Sequence, residues 1–162
     1  MCYEGTVAEG WGNISGREMT HRFWDLATQG VYPGHSETMR PPDDIMWWNK
    51  GGVLRGESPA RIAFLKSIIE SGPQKPLGIC PKGMWNSYLG WKGEDWILGY
   101  TGRSQPAEVD LTLPAGKTYK LTWIDTWEMT KKDSGTTIVA TGEKQAIPML
   151  TKEYQGFLLE AV

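Results

Sequence analysis

The hydrophobic period of the chain changes near residue 72, and that change limits what it can fold into. Before it, apolar residues recur at intervals of three and four; after it, they alternate. Ser15, followed three residues later by Glu18, has the form of a capping box, and Met19, Phe23, Trp24 and Ala27 then fall on one helical face until Gly30 supplies a stop. This spacing predicts a helix over residues 16–29. A second helix is predicted from Ser58, with Pro59 in its first turn, along a face of Ile62, Ala63, Leu65, Ile68 and Ile69, to a stop at Gly72 and Pro73. From Leu77 onward "DWILGYTG", "AEVDLTLPAG", "KTYKLTWIDTW", "TTIVATG" and "QGFLLEAV" read as short strands joined by turn residues, the mark of an antiparallel sandwich. The predicted fold class is α+β, with an N-terminal two-helix and loop segment over 1–72 and a C-terminal antiparallel β-sandwich over 77–162. Trp123, Ile124 and Trp127 fall in the longest strand candidate and cannot share a face. Trp127 is therefore expected to pack against the helical part.

A length of 162 residues with 40% apolar content suits one substantial domain or two small ones sharing a core. The formal charge of -2 is spread with both signs interspersed, so neither nucleic acid nor an anionic membrane surface is an expected partner. The start "MCYEGTVAEGW" lacks a charged and then apolar leader, so no export signal is read in this chain. Cys2 and Cys80 are far apart and would pair only if the fold joined the two regions; partly buried thiols are the expectation. Nine Trp with twenty Gly form a mixture that recurs where sugar rings stack on indoles and tight turns join short strands, which makes carbohydrate the expected partner.

Several chemistries lack a foothold. His35-Ser36-Glu37 matches half of a zinc deaminase signature, but Cys80 is followed by Pro81 and no second Cys; with His21 the other histidine, no metal site is expected. There is no GxxxxGK[ST], no GxGxxG after a strand and no GxSxG elbow, so no cofactor is expected either. The segment between the helices is dense in Pro and Gly yet holds Ile45, Met46, Trp47 and Trp48, which makes it a loop with an apolar anchor, and long structured loops usually carry function. Glu37 in that loop, Glu4 in "CYEG" and Glu57 in "RGESP" are Gly-flanked carboxylates near Trp-rich sequence. Such residues suit glycoside hydrolysis, where an acid and a nucleophile or base flank the bond at ~5 to 10 Å. Two of them have a plainer reading: Glu57 favours the dipole of the second helix, and Glu37 accepts hydrogen bonds from loop amides. Trp47 and Trp48, being adjacent, point to opposite sides of an extended segment, so one packs and the other is left to stack on a sugar.

"YEG" followed by "WGNIS", then "HRFWDLATQG", "GHSET", "PDDIMWWNKGGVLRGESPARIAFLK" and "YKLTWIDTWEMT", resemble the C-terminal portion of the apiosidase-like bacterial glycoside hydrolases, barrel enzymes with an appended β-sandwich. The resemblance implies that residues 1–72 correspond to the last units of a (β/α)8 barrel, about two of eight at ~30 residues each. It implies Glu4 and Glu37 in loops at the catalytic mouth of that barrel, which makes them the acid and nucleophile candidates, with His35 orienting one of them or a sugar hydroxyl; Trp47, Trp48 and Glu57 are the expected substrate-binding residues. It also implies a bacterial secreted or periplasmic parent family. Two functions follow: a glycoside hydrolase acting on plant-type oligosaccharides or polysaccharides, or a noncatalytic carbohydrate-associated module whose helices cover one face of the sandwich. Helices shaped to line a barrel would expose Phe23 with Trp24 and Ile62 with Ile69, so a symmetric homodimer is expected.

Overall fold

A computed structural model describes residues 14–35, 56–80 and 89–162. Two helices come first, α1 Gly16–Thr28 and α2 Ser58–Ser71. The strands follow: β1 Gly78–Ile79, β2 Gly90–Trp91, β3 Trp96–Tyr100, β4 Glu108–Thr112, β5 Thr118–Asp125, β6 Thr130–Val139, β7 Lys144–Pro148 and β8 Gln155–Ala161. Six of them form an antiparallel sheet in the order β1-β2-β3-β8-β5-β6, and β4 pairs with β7 apart from it.

The pair β4-β7 lies against one face of the large sheet. Val109, Leu111 and Ile147 share a core there with Ile97, Leu121, Phe157 and Leu159. The other face carries Trp96, Leu98, Tyr100, Ile124 and Leu158, which meet Trp24 and Ala27 of α1 and Leu65 and Ile68 of α2. The fold is α+β in three layers: helices, six-stranded sheet, two-stranded sheet. Successive side chains of a strand point to opposite faces, so β8 sends Phe157 and Leu159 one way and Leu158 the other; its run "GFLL" is apolar throughout because both faces are covered.

Glycine makes room for an aromatic ring on each face. Gly99 pairs with Phe157 across β3 and β8, and a Cβ at Gly99 would overlap the Phe157 ring. Gly156 does the same for α1, since its Cβ would stand 2.9 Å from Cζ3 of Trp24. The end of α2 is held by Lys92, which is buried and donates from Nζ to the carbonyls of Ile69 and, at 3.1 Å, Pro73.

The structure departs from the sequence reading in four places. Ser15 Oγ accepts the Glu18 N–H at 3.2 Å, but the Glu18 carboxylate turns to Arg22 and Arg103, each at 2.6 Å, because charge-assisted pairs outweigh the return bond of a capping box. Ala63 is exposed while Leu65 is buried, as two residues ~200° apart on a helix must be on different sides. Strand β7 and the first half of β6 escaped the pattern, for β7 buries only Ile147 and β6 begins with exposed Lys131, Lys132 and Asp133 at the sheet edge. The strand holding Trp123 stops at Asp125, which leaves Trp127 in the turn to β6; β6 is longer. The faces of Trp24 and Ile68 are covered within the chain. Among the described residues a groove of about 420 Å³, lined by Phe23, Val31, Tyr32, Ile62, Ile69 and Leu77, stays open.

Candidate functional site

α1 closes at Gly30, whose φ of 69° takes the chain out of the helix, and residues 31–35 lead to His35. His35 Nε2 lies 3.0 Å from Ser58 Oγ, which is fully buried as the first residue of α2. Glu57 stands one residue earlier, exposed at the N-cap of α2, with no side-chain cap bond. A carboxylate at that position interacts favourably with the positive end of the helix dipole. The structure thus brings two sequence-predicted site residues, His35 and Glu57, to neighbouring positions at the start of α2. Glu4, Glu37, Trp47 and Trp48, like Cys2, lie outside the described residues.

A second group of side chains forms where the first turns of both helices meet the β5–β6 turn. The guanidinium carbon of Arg61 is 3.5 Å from the centroid of the Trp127 ring, and that of Arg17 is 4.4 Å away. Arg61 also donates from Nε to the Trp127 carbonyl at 2.9 Å and from Nη1 to the Glu57 carbonyl at 2.7 Å. The turn that presents the indole is shaped by Asp125, whose Oδ1 accepts the N–H groups of Trp127 and Glu128 at 3.0 and 2.9 Å, while Oδ2 takes Lys152. Burial works to raise the Asp125 carboxyl, and these bonds outweigh it, holding the group below its ordinary range. Trp127 does meet the helical part, as expected, through arginines stacked on its ring.

Beside this corner α1 is stitched to the sheet. Glu18 binds Arg22 on its own helix and Arg103 beyond β3; burial raises its carboxyl, but the two guanidiniums win and keep it low. His21 Nδ1 is 2.9 Å from the Tyr100 hydroxyl, and Tyr154, held at φ 56°, sets its ring 5.7 Å from the imidazole. Burial drives the Tyr100 hydroxyl well above the ordinary tyrosine range. Among the described residues no group of three or more His, Cys, Asp or Glu side chains could hold a metal ion, and no helix is long and apolar enough to cross a membrane.

The sequence reading missed Arg17 and Arg61, although a signal existed. First turns favour acidic residues, and each of these helices places an arginine in or next to its first turn.

The fold recurs within crystal structures described as glycoside hydrolases. Residues 85–155 match a family model described as a domain of unknown function, DUF5605. The whole chain superposes on the crystal structure of a candidate glycoside hydrolase from Bacteroides vulgatus, with a TM-score of 0.79 and 25% identity, covering 100% of this chain and 35% of that one. A glycoside hydrolase family 5 structure from the same species matches 90% of this chain and 36% of its own, with a TM-score of 0.60 and 12% identity. The chain therefore spans about a third of the length of these structures. No curated protein matches it.

Proposed function

We propose that the chain supplies part of a glycoside hydrolase acting on O-glycosidic bonds of plant-type oligosaccharides or polysaccharides, within the apiosidase-like group. The observation that carries this reading is the likeness over its full length to a candidate glycoside hydrolase, at a TM-score of 0.79. Glu4 and Glu37 are the acid and nucleophile: one protonates the leaving oxygen, and the other attacks the anomeric carbon or activates water. His35, two residues before Glu37, is fastened to the start of α2 by Ser58 and so has a fixed base from which to orient Glu37 or a sugar hydroxyl. One of Trp47 and Trp48 stacks on the substrate while the other packs, and Glu57 contacts the substrate.

Hydrolysis of aryl-glycosides and plant-wall oligosaccharides by the protein and its Glu4→Gln and Glu37→Gln variants tests the reading. Each substitution is expected to lower kcat by about two to four orders of magnitude. Activity that survives Glu37→Gln unchanged removes Glu37 from the mechanism. Sugar binding without any hydrolysis by the unaltered protein would favour the noncatalytic module.

A further inference from the structure

We propose that the groove lined by Phe23, Ile62 and Ile69 seats a second copy of this chain, with the two α2 helices antiparallel across a two-fold axis at the level of Ile68 and Lys66 of each copy paired with the partner's Glu70. No candidate catalytic residue enters this interface, so the inference stands apart from the hydrolase reading.

The apolar part of the face is gathered in one place. Val31 and Tyr32, the latter 79% exposed, line the groove beside half-buried Phe23, Ile62 and Ile69. Exposed Ile79 adjoins it at the turn after α1, where its Cγ1 lies 3.5 Å from the position that a Cβ on Gly30 would take. Val31, Tyr32 and Ile79 are three of the seven large apolar side chains left exposed among the described residues. Single exposed side chains are ordinary, whereas a contiguous patch of them marks an interaction surface. Aromatic residues are enriched at protein interfaces, and Phe23 and Tyr32 supply them here.

The charges on this face indicate what it meets. At about 100° per residue, Ile69, Ile62, Lys66 and Glu70 follow one another round α2 within an arc of ~100°, so both charges lie along the same flank of the two isoleucines. Lys66 and Glu70 are one turn apart, about 6 Å along the helix. A two-fold rotation at Ile68 reverses the helix and exchanges these two levels, which sets each Lys66 against the partner's Glu70 on that flank. Ile69, about 1.5 Å from the level of the axis, then meets its own copy. The face is its own complement. It carries one charge of each sign, so a surface of a single sign gains nothing net by docking there, while a second copy satisfies both charges twice. Within α2 the two groups are 3.6 Å apart with side chains 71% and 64% exposed, in the order Lys before Glu, which is the weaker order for a helical pair. Sharing them with the partner therefore forfeits little inside the helix.

The test is sedimentation equilibrium over a concentration series on the unaltered protein, on Lys66→Glu, on Glu70→Lys and on an equimolar mixture of the two variants. The unaltered protein is expected to form a dimer, and each variant alone to raise its Kd about tenfold or more while keeping its Tm, since both side chains are exposed. The mixture is expected to recover the affinity, because the acidic flank of one variant then meets the basic flank of the other. The pair within α2 stays broken in both variants, so recovery reports on contact between copies alone. A monomeric mass at every concentration overturns the proposal and leaves the groove to a different polypeptide, such as the further portion that the matched structures carry beyond the 35% this chain covers. A dimer indifferent to both substitutions, or a mixture no tighter than its components, overturns it as well.

Discussion

His21 shows how one side chain ties local sequence to the tertiary fold. Burial lowers its pKa, against the pull of the Glu18 carboxylate; Arg103 and Arg22 add to the lowering, and Asp25 opposes it. The folded state therefore prefers the neutral ring that meets the Tyr100 hydroxyl, whereas the unfolded chain takes up its proton near the ordinary value of about 6.5. The unfolded state then binds more protons, so the stabilisation is present above that value and is lost as pH falls through the folded pKa. Thermal unfolding from about pH 7.5 to about pH 5.5 should lower Tm more in the unaltered protein than in His21→Gln, and parallel curves would contradict this. The sequence placed His21 on a helix but did not name its partner. Tyr100 is 79 residues away, and periodicity carries no information on such a pairing. Arg17 and Arg61 were hidden for the same reason: what they share is Trp127, far along the chain.

At the scale of elements, the glycines of the central strands set the spacing of the layers. Gly99→Ala puts a methyl group into the space of the Phe157 ring, which is fully buried and has no room to retreat. Overpacking of this kind is expected to cost about 1–3 kcal/mol in urea unfolding. Adding Phe157→Leu should return part of that loss, and strictly additive effects of the two changes would show that the added methyl group and the Phe157 ring do not compete for this space. Elements whose burial follows a simple period were legible: α1 ends one residue from its expected position, and β3, β4, β5 and β8 coincide with the alternating segments. β7 was not legible, because Lys144 and Pro148 are exposed and only Ile147 reaches the core. β1 and β2, at two residues each, are too short to express any period.

For the whole molecule, the α+β class was readable from the change of period, and helices covering one face of the sandwich was one of the two arrangements the sequence allowed. The helices cover a sheet face of their own chain, which removes Trp24, but not Phe23, Ile62 or Ile69, from the surface expected to meet a second copy. Among the described residues, the groove lined by Phe23, Ile62 and Ile69 is the face we propose for self-association. Light scattering over a concentration series is expected to show a dimer that Ile69→Lys disperses, and a monomeric mass at every concentration removes this expectation. The candidate catalytic residues were legible only as Gly-flanked carboxylates and through family resemblance, since a catalytic pair is defined by a distance that no sequence spacing encodes. One feature of the sheet bears on the order of events during synthesis. β8 comes last among the strands yet lies between β3 and β5. Until residues 155–161 have been made, the portion containing β1 to β3 and the hairpin of β5 and β6 have no strand to join them, and neither aromatic seat has its glycine–ring pair complete. A nascent chain of this protein thus carries two unzipped half-sheets with open edges, and both layers close in one late step.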